Sequence, residues 1–312
     1  LGSEERKNPG MKKIVLTDGG MGQELLRRSG AAPTPLWSAR VLIDEPDLVR
    51  DLHVDFIKAG ASVITINTYA ATPERLERDG APGLFKTLQR RGIDLAKEAR
   101  DTAGHQVRVA GCLPPLFGSY APKLRSSFDE TLDTYRQIVA EQKDHVDLLL
   151  CETMASAEEG LAAATAAAES GLPIWVSWTL QDSLDGPRLR SGETIAEAAK
   201  AIAHINTEAR LINCSKPEVI SAAMDDLLAL GGAVGAYANG FTSVGALKHG
   251  GTVDVLEARR DLGPESYADF AQGWAQKGAA IVGGCCEVGP EHIAALRDRL
   301  MANGYELMGT PQ

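Results

Sequence analysis

From Met11 onward, short apolar runs alternate with longer stretches in which apolar residues recur every three or four positions. Runs of three to five residues with β-branched side chains read as buried strands and the longer amphipathic stretches as helices. The alternation therefore predicts βα units wound into a parallel sheet. Eight runs qualify, at 14–17, 62–66, 107–111, 146–150, 174–177, 210–213, 233–236 and 280–282. Four helices have legible ends: 45–59 before Gly60, 84–103 before Gly104, 156–170 before Gly171 and 218–230 before Gly231. A glycine just past the last apolar position supplies the left-handed residue that stops a helix. The Ala-rich 160–168 stretch reads as a strong helix former, not low-complexity sequence. Eight units over this length predict an α/β fold, a single (β/α)8 TIM-type barrel spanning 11–312, with no linker or internal repeat dividing it. The polar residues 1–10 are read as an appended, partly vector-derived tail outside that fold.

Composition narrows the class. With 312 residues, 44% of them apolar, the chain can bury a large core without disulfide staples. Five cysteines, an odd number with one adjacent pair, fit a reducing compartment, so a cytoplasmic protein is expected. No run of 18 apolar residues is present, and the net charge of −10 comes with no basic block. Neither nucleic acid nor a membrane is an expected partner.

In parallel α/β folds the functional groups sit just past the C-terminal ends of strands. The run 280–282 stops at Gly283-Gly284-Cys285-Cys286, and 210–213 ends in Asn213-Cys214 before a helix entry at Ser215-Lys216-Pro217. If both strands open on one mouth, three sulfurs converge, and three thiolates with one open position describe a zinc site that does chemistry. The competing reading is that each cysteine is a small buried filler, since no Cys-x-x-Cys pair is present. Spacing alone leaves both standing.

The other strand ends offer Asp18-Gly19-Gly20-Met21-Gly22, Asn67-Thr68-Tyr69, Cys151-Glu152-Thr153, Trp178 with Thr179, and Tyr237-Ala238-Asn239-Gly240. Two carboxylates, Asp18 and Glu152, with bare glycine amides suit an α-amino acid, although each alone is equally a turn or a helix cap. A phosphate turn is the weaker option, because 19–22 lacks both the Gly-x-Gly-x-x-Gly and the Gly-Lys-Ser/Thr patterns.

Taken together and in this order, these motifs resemble the zinc-dependent homocysteine S-methyltransferase family, from Met11 to about Leu300. The resemblance implies a (β/α)8 barrel with Cys214, Cys285 and Cys286 binding zinc and Asn239 as a displaceable fourth ligand. It implies that Asp18 and Glu152 hold the amino group of homocysteine, and that amides near Gly19 and at Asn67 and Thr68 hold its carboxylate. Glu287 departs from the family's glycine after Cys-Cys, and Ala70 and Thr153 stand where the betaine-using branch has cage tyrosines, while Trp37 is kept. Cation recognition relies on ring faces, so the depleted cage counts against betaine. A sulfonium donor, S-methylmethionine or S-adenosylmethionine, is expected against Trp37, Tyr69 and Trp178. Cys112 and Cys151 match no ligand and are read as structural.

The expected chemistry needs no side-chain base. A free thiol with a pKa of ~8.5 is mostly protonated at neutral pH, and each unit by which zinc lowers it is worth about 1.4 kcal/mol. The partners are then homocysteine and a small methyl donor. The rivals are a selenocysteine or other thiol acceptor, a betaine-type donor, and a non-catalytic zinc- or thiol-binding barrel.

Overall fold

The computed structural model describes residues 11–30, 32, 34–121, 126–247 and 251–311. All eight apolar runs form strands. The first half of the chain runs β1 (Lys12–Leu16), α1 (Met21–Ser29), α2 (Ser38–Asp44), α3 (Pro46–Lys58), β2 (Val63–Thr65), α4 (Pro73–Arg78), α5 (Phe85–Asp101), β3 (Arg108–Leu113) and α6 (Phe128–Gln142). It continues with β4 (Leu148–Met154), α7 (Ala157–Ala168), β5 (Ile174–Trp178), α8 (Ile195–Ala201), β6 (Ala209–Asn213) and α9 (Pro217–Leu228). Last come β7 (Val234–Ala238), α10 (Pro264–Lys277), β8 (Ile281–Gly284), α11 (Pro290–Ala302) and β9 (Tyr305–Met308). Gly60, Gly171 and Gly231 take positive φ just past α3, α7 and α9, as their sequence positions require.

The expected closed eight-stranded TIM-type barrel does not form. The strands make one curled, nine-stranded parallel sheet in the order β2-β3-β4-β5-β6-β7-β8-β1-β9. The unforeseen ninth strand pairs with β1 from Lys12↔Tyr305 to Val15↔Met308 and so takes the edge that a closed barrel would give to β2. Its last carbonyl, Met308 O, accepts a hydrogen bond from Ser62 Oγ at 2.6 Å, just ahead of β2. With β9 wedged there, β1 and β2 meet only at the isolated bridge Thr17↔Val63. Two hydrogen bonds flank it, Ser62 N to Leu16 O at 2.8 Å and Asp18 N to Val63 O at 3.0 Å. The three apolar positions of β9 are too few to stand out from the tail of α11 by pattern alone.

Alternation along each strand sorts the core into two layers. Val15, Val63, Ala110, Leu148, Leu150, Trp175, Leu211, Tyr237 and Ile281 pack together on the concave face. Ile14, Leu16, Ile64, Val109, Leu149, Val176, Ile212 and Val282 face the helices. The parity carries through to the strand ends and decides which side chains reach the mouth. Among the described residues no helix is long and apolar enough to cross a membrane.

Candidate functional site

Cys214 follows β6 and Cys285-Cys286 follow β8, two strands flanking β7. Their three sulfurs all lie within 4.8 Å of one another. A tetrahedral ion with Zn–S bonds of ~2.3 Å sets its sulfurs ~3.8 Å apart, and the Cys214 and Cys286 sulfurs are 3.6 Å apart. The donor set fits zinc in both chemistry and spacing. Burial pushes the Cys214 thiol up, but hydrogen bonds from Cys285, Cys286 and Tyr120 outweigh it and hold Cys214 well below the ordinary thiol range. The hydrogen bonds shared with Cys214 raise Cys285 and Cys286. A divalent cation bound here would favour the thiolate form of all three.

The backbone around the sulfurs leaves no slack. A Cβ on Gly20 would lie 2.5 Å from Cys285 O and 2.9 Å from Cys286 Cα, so the first turn of α1 rests directly on the Cys-Cys pair. Gly20→Ala is expected to destabilise the protein by about 1–3 kcal/mol, the usual range for overpacking, and to weaken metal retention. Thermal denaturation with and without a chelator checks this, and a variant with wild-type Tm and metal content would contradict it.

Asn213 steadies the base of the site. Its Oδ1 accepts from Ser177 Oγ at 2.7 Å and Thr153 N at 3.0 Å, and its Nδ2 faces Cys285 Sγ at 3.9 Å. Asn239, the expected fourth ligand, stands beside Cys214 but turns the wrong atom to it. Its Nδ2 is 3.9 Å from Cys214 Sγ, while its Oδ1 accepts from Phe241 N at 3.2 Å, which fixes the amide orientation.

The two carboxylates, Asp18 and Glu152, reach the same cavity, which also takes in Gly19, Asn67, Cys112, Tyr237 and the three zinc-site thiols. Asp18 is clamped by backbone hydrogen bonds to Val63 and Gly284, and its Oδ2 accepts from Thr65 N at 2.8 Å. Burial raises its pKa well above the usual range, and the Glu152 charge adds to the rise. Glu152 belongs to β4, which runs further than its apolar run predicts, and parity turns Glu152 inward and Cys151 outward. Burial first, and the Cys214 charge second, push Glu152 up to about 7. Tyr237 Oη at 3.2 Å and the Cys112 thiol at 3.9 Å donate to its two oxygens. Cys112, expected to be only structural, is therefore part of the pocket wall. Thr68 does not reach the cavity: its N–H donates to Ile66 O at 2.8 Å, and its methyl packs on Gly92.

On the opposite wall Trp37 meets Tyr69 edge to face at 5.8 Å, and Arg75 lies 5.2 Å from the Tyr69 ring centre. Trp178 is not with them. It is fully buried on the helix side of the sheet, against Gly160 of α7, and Trp175 lines the cavity in its place. Of the depleted cage positions, Thr153 lines the cavity and Ala70 is buried outside it. Glu287 turns away from the thiols to within 3.8 Å of Arg27. Sequence reasoning passed over Tyr120, whose hydroxyl is 3.1 Å from Cys214 Sγ. The signal was the Gly118-Ser119-Tyr120 loop past β3, at the one early strand end not searched for polar groups.

Five described non-glycine residues have positive φ: Trp37, Tyr120, Thr153, Cys214 and Glu287. Four of them line this cavity and the fifth adjoins Cys286. Such conformations cost on the order of 1–3 kcal/mol each and persist where a site over-determines them.

The comparisons agree with this geometry. A family model described as homocysteine S-methyltransferase matches residues 15–300. The homocysteine S-methyltransferase of Escherichia coli (strain K12) is 30% identical over 308 residues, covering 92% of this chain and 95% of its own. The selenocysteine methyltransferase of Astragalus bisulcatus is 28% identical over 329 residues, covering 91% of each. The crystal structure of the metallated form of the homocysteine methyltransferase MmuM from Escherichia coli superposes with a TM-score of 0.76 at 30% identity, covering 92% of this chain and 96% of that one. The match runs through every strand that contributes to the cavity, and the cysteine cluster fits the metal. The chain belongs to the homocysteine S-methyltransferase family and is a zinc-dependent methyltransferase.

Proposed function

We propose that this enzyme transfers a methyl group from a small sulfonium donor, S-methylmethionine or S-adenosylmethionine, to the thiol of L-homocysteine, and that residues 11–312 form the single domain that does so. The observation that carries the proposal is the placement of three thiols within 4.8 Å of one another in the same cavity as Asp18 and Glu152. An amino acid held by its ammonium group at the carboxylates can present its sulfur to the cysteines. Zinc bound at Cys214, Cys285 and Cys286 supplies a Lewis acid that keeps the substrate sulfur deprotonated at neutral pH.

The residues of the chain bind and orient. Asp18 and Glu152 take the ammonium group, and the backbone near Gly19 and Asn67 takes the carboxylate. The Thr68 amide is spent on Ile66, so its expected part passes to Asn67. Asn239 steadies Cys214 through its amide nitrogen, and its Oδ1 is taken up by Phe241 N. The substrate thiolate then attacks the methyl carbon in line with the leaving group. The new C–S bond forms as the old one breaks, and the electron pair stays on the donor sulfur, which leaves as a neutral thioether. Trp37 and Tyr69, paired edge to face at 5.8 Å, face the donor cation. Five free thiols support a reducing, cytoplasmic setting.

The test is kcat/KM for S-methylmethionine, S-adenosylmethionine, dimethylsulfoniopropionate and betaine under equal zinc loading, with homocysteine and selenocysteine as alternative acceptors. A sulfonium donor with homocysteine is expected to give the highest value. Each lost ring face removes about 0.5–2 kcal/mol of cation binding, so betaine should trail by roughly one to two orders of magnitude. Betaine ahead by about tenfold would overturn the donor assignment. No methionine from any donor would favour a thiol-binding protein without turnover.

A further inference from the structure

The loops after β3 and β7 line the cavity, and Tyr120 of the first reaches the sulfur of Cys214. Tyr120, on the loop after β3, places its hydroxyl 3.1 Å from Cys214 Sγ. The side-chain amides near the cluster are more distant, at 3.9 Å from Asn239 Nδ2 to Cys214 and from Asn213 Nδ2 to Cys285. The phenol is held from behind. The Arg190 guanidinium, on the loop after β5, stands over the Tyr120 ring at 5.1 Å. Arg190 Nη2 in turn donates to Asp182 Oδ1 at 3.0 Å, and Asp182 Oδ2 accepts from Ser243 Oγ at 2.8 Å and Val244 N at 3.3 Å on the loop after β7. Tyr120 itself has a φ of 65°, a conformation rarely taken by a bulky aromatic residue, so the neighbours must hold it there.

A phenol with an ordinary pKa near ~10 is a neutral donor at physiological pH, and a thiolate is a strong acceptor. A hydrogen bond to a metal-ligating sulfur withdraws charge from it, which lowers the charge passed to the metal and strengthens the metal as a Lewis acid towards its remaining position. We propose that Tyr120 is a positioning residue of the zinc centre, whose hydroxyl donates to the Cys214 thiolate and so makes the metal readier to take the sulfur of the substrate. The proposal rests on the zinc reading above. It also gives the strained backbone at Tyr120 a purpose: Arg190, held by Asp182, braces the ring so that one hydroxyl stays on one sulfur.

The test is Tyr120→Phe, which keeps the ring on Arg190 and removes only the hydroxyl, in protein loaded with Co(II) in place of zinc. Losing the hydrogen bond raises the energy of the sulfur lone pairs, so the sulfur-to-cobalt charge-transfer band is expected to move to longer wavelength with the tetrahedral d–d bands unchanged. A charge-transfer band superimposable on that of the wild type would overturn the proposal. So would a simultaneous collapse of the d–d bands, which would make the phenol a packing element only. Failure of the zinc reading is distinct, since the wild type itself would then show no sulfur-to-cobalt band.

Discussion

Cys214→Ser, Cys285→Ser and Cys286→Ser are each expected to strip the protein of most of its zinc and to lower kcat/KM by more than about 100-fold, the upper end for losing a mere outer partner of a metal site. The wild type should carry about one zinc per chain. The three sulfurs lie within 4.8 Å of one another, so a serine at any position leaves two thiolates and a poor ligand on a site built for three. Cys151→Ser is the control. Its side chain lies on the helix-facing side of β4, fully buried in the outer core, and is not part of the cluster. Burial also pushes that thiol far up, as suits an inert core residue. Metal analysis and methionine formation on the same preparations decide the matter. Full zinc retention in all three cluster variants would sink the site, and zinc loss in Cys151→Ser would show that metal content merely tracks folding.

The parts of this site visible in the sequence are those where an apolar run ends in a reactive residue. Asn213-Cys214 and Gly284-Cys285-Cys286 could be read because a strand stops there and the next residue has to face the mouth. Which face a residue takes inside a run was harder. In β5, Ile-Trp-Val-Ser-Trp carries a tryptophan on each face, and Trp178, expected at the mouth, lies three residues past Trp175 and so on the helix-facing side. Glu152, read as just past a strand end, lies within β4. The strand extends to Met154 because Thr153 is pinned by Asn213 from β6, a contact between residues 60 positions apart. Tyr120 and the role of Cys112 depend on such cross-strand placement too. The ninth strand was missed for another reason. Four residues behind a helix carry little signal, and only the ladder to β1 makes Tyr305–Met308 a strand and keeps the sheet from closing as eight.

The carboxylate pair gives the second large effect, with its own pH signature. Asp18→Asn and Glu152→Gln are each expected to raise the KM for homocysteine by about 10- to 100-fold, equivalent to a charge-assisted hydrogen bond of roughly 1.5–3 kcal/mol, with zinc still bound. Burial raises both groups, and Glu152, at about 7, is partly protonated in the free enzyme near neutrality. An incoming ammonium group favours the ionised form of each and must displace that proton. Homocysteine affinity should therefore weaken as pH falls through about 7, and KM should climb on the acid side. For the free protein the linkage runs the other way. A carboxyl whose folded pKa lies above its unfolded value of 4.5 binds its proton more tightly in the folded state. It thus stabilises the fold most at low pH, and that contribution is lost as pH rises from 4.5 through about 7. Acid should consequently harm substrate binding before it harms the fold. Glu152→Gln, neutral at every pH, should flatten the acid rise of KM while keeping the higher plateau. Measuring KM for homocysteine at about pH 6 and about pH 8 in the wild type and in Glu152→Gln separates the cases. Equal wild-type values at both pH values, or an unchanged slope in the variant, would take Glu152 out of the ammonium site.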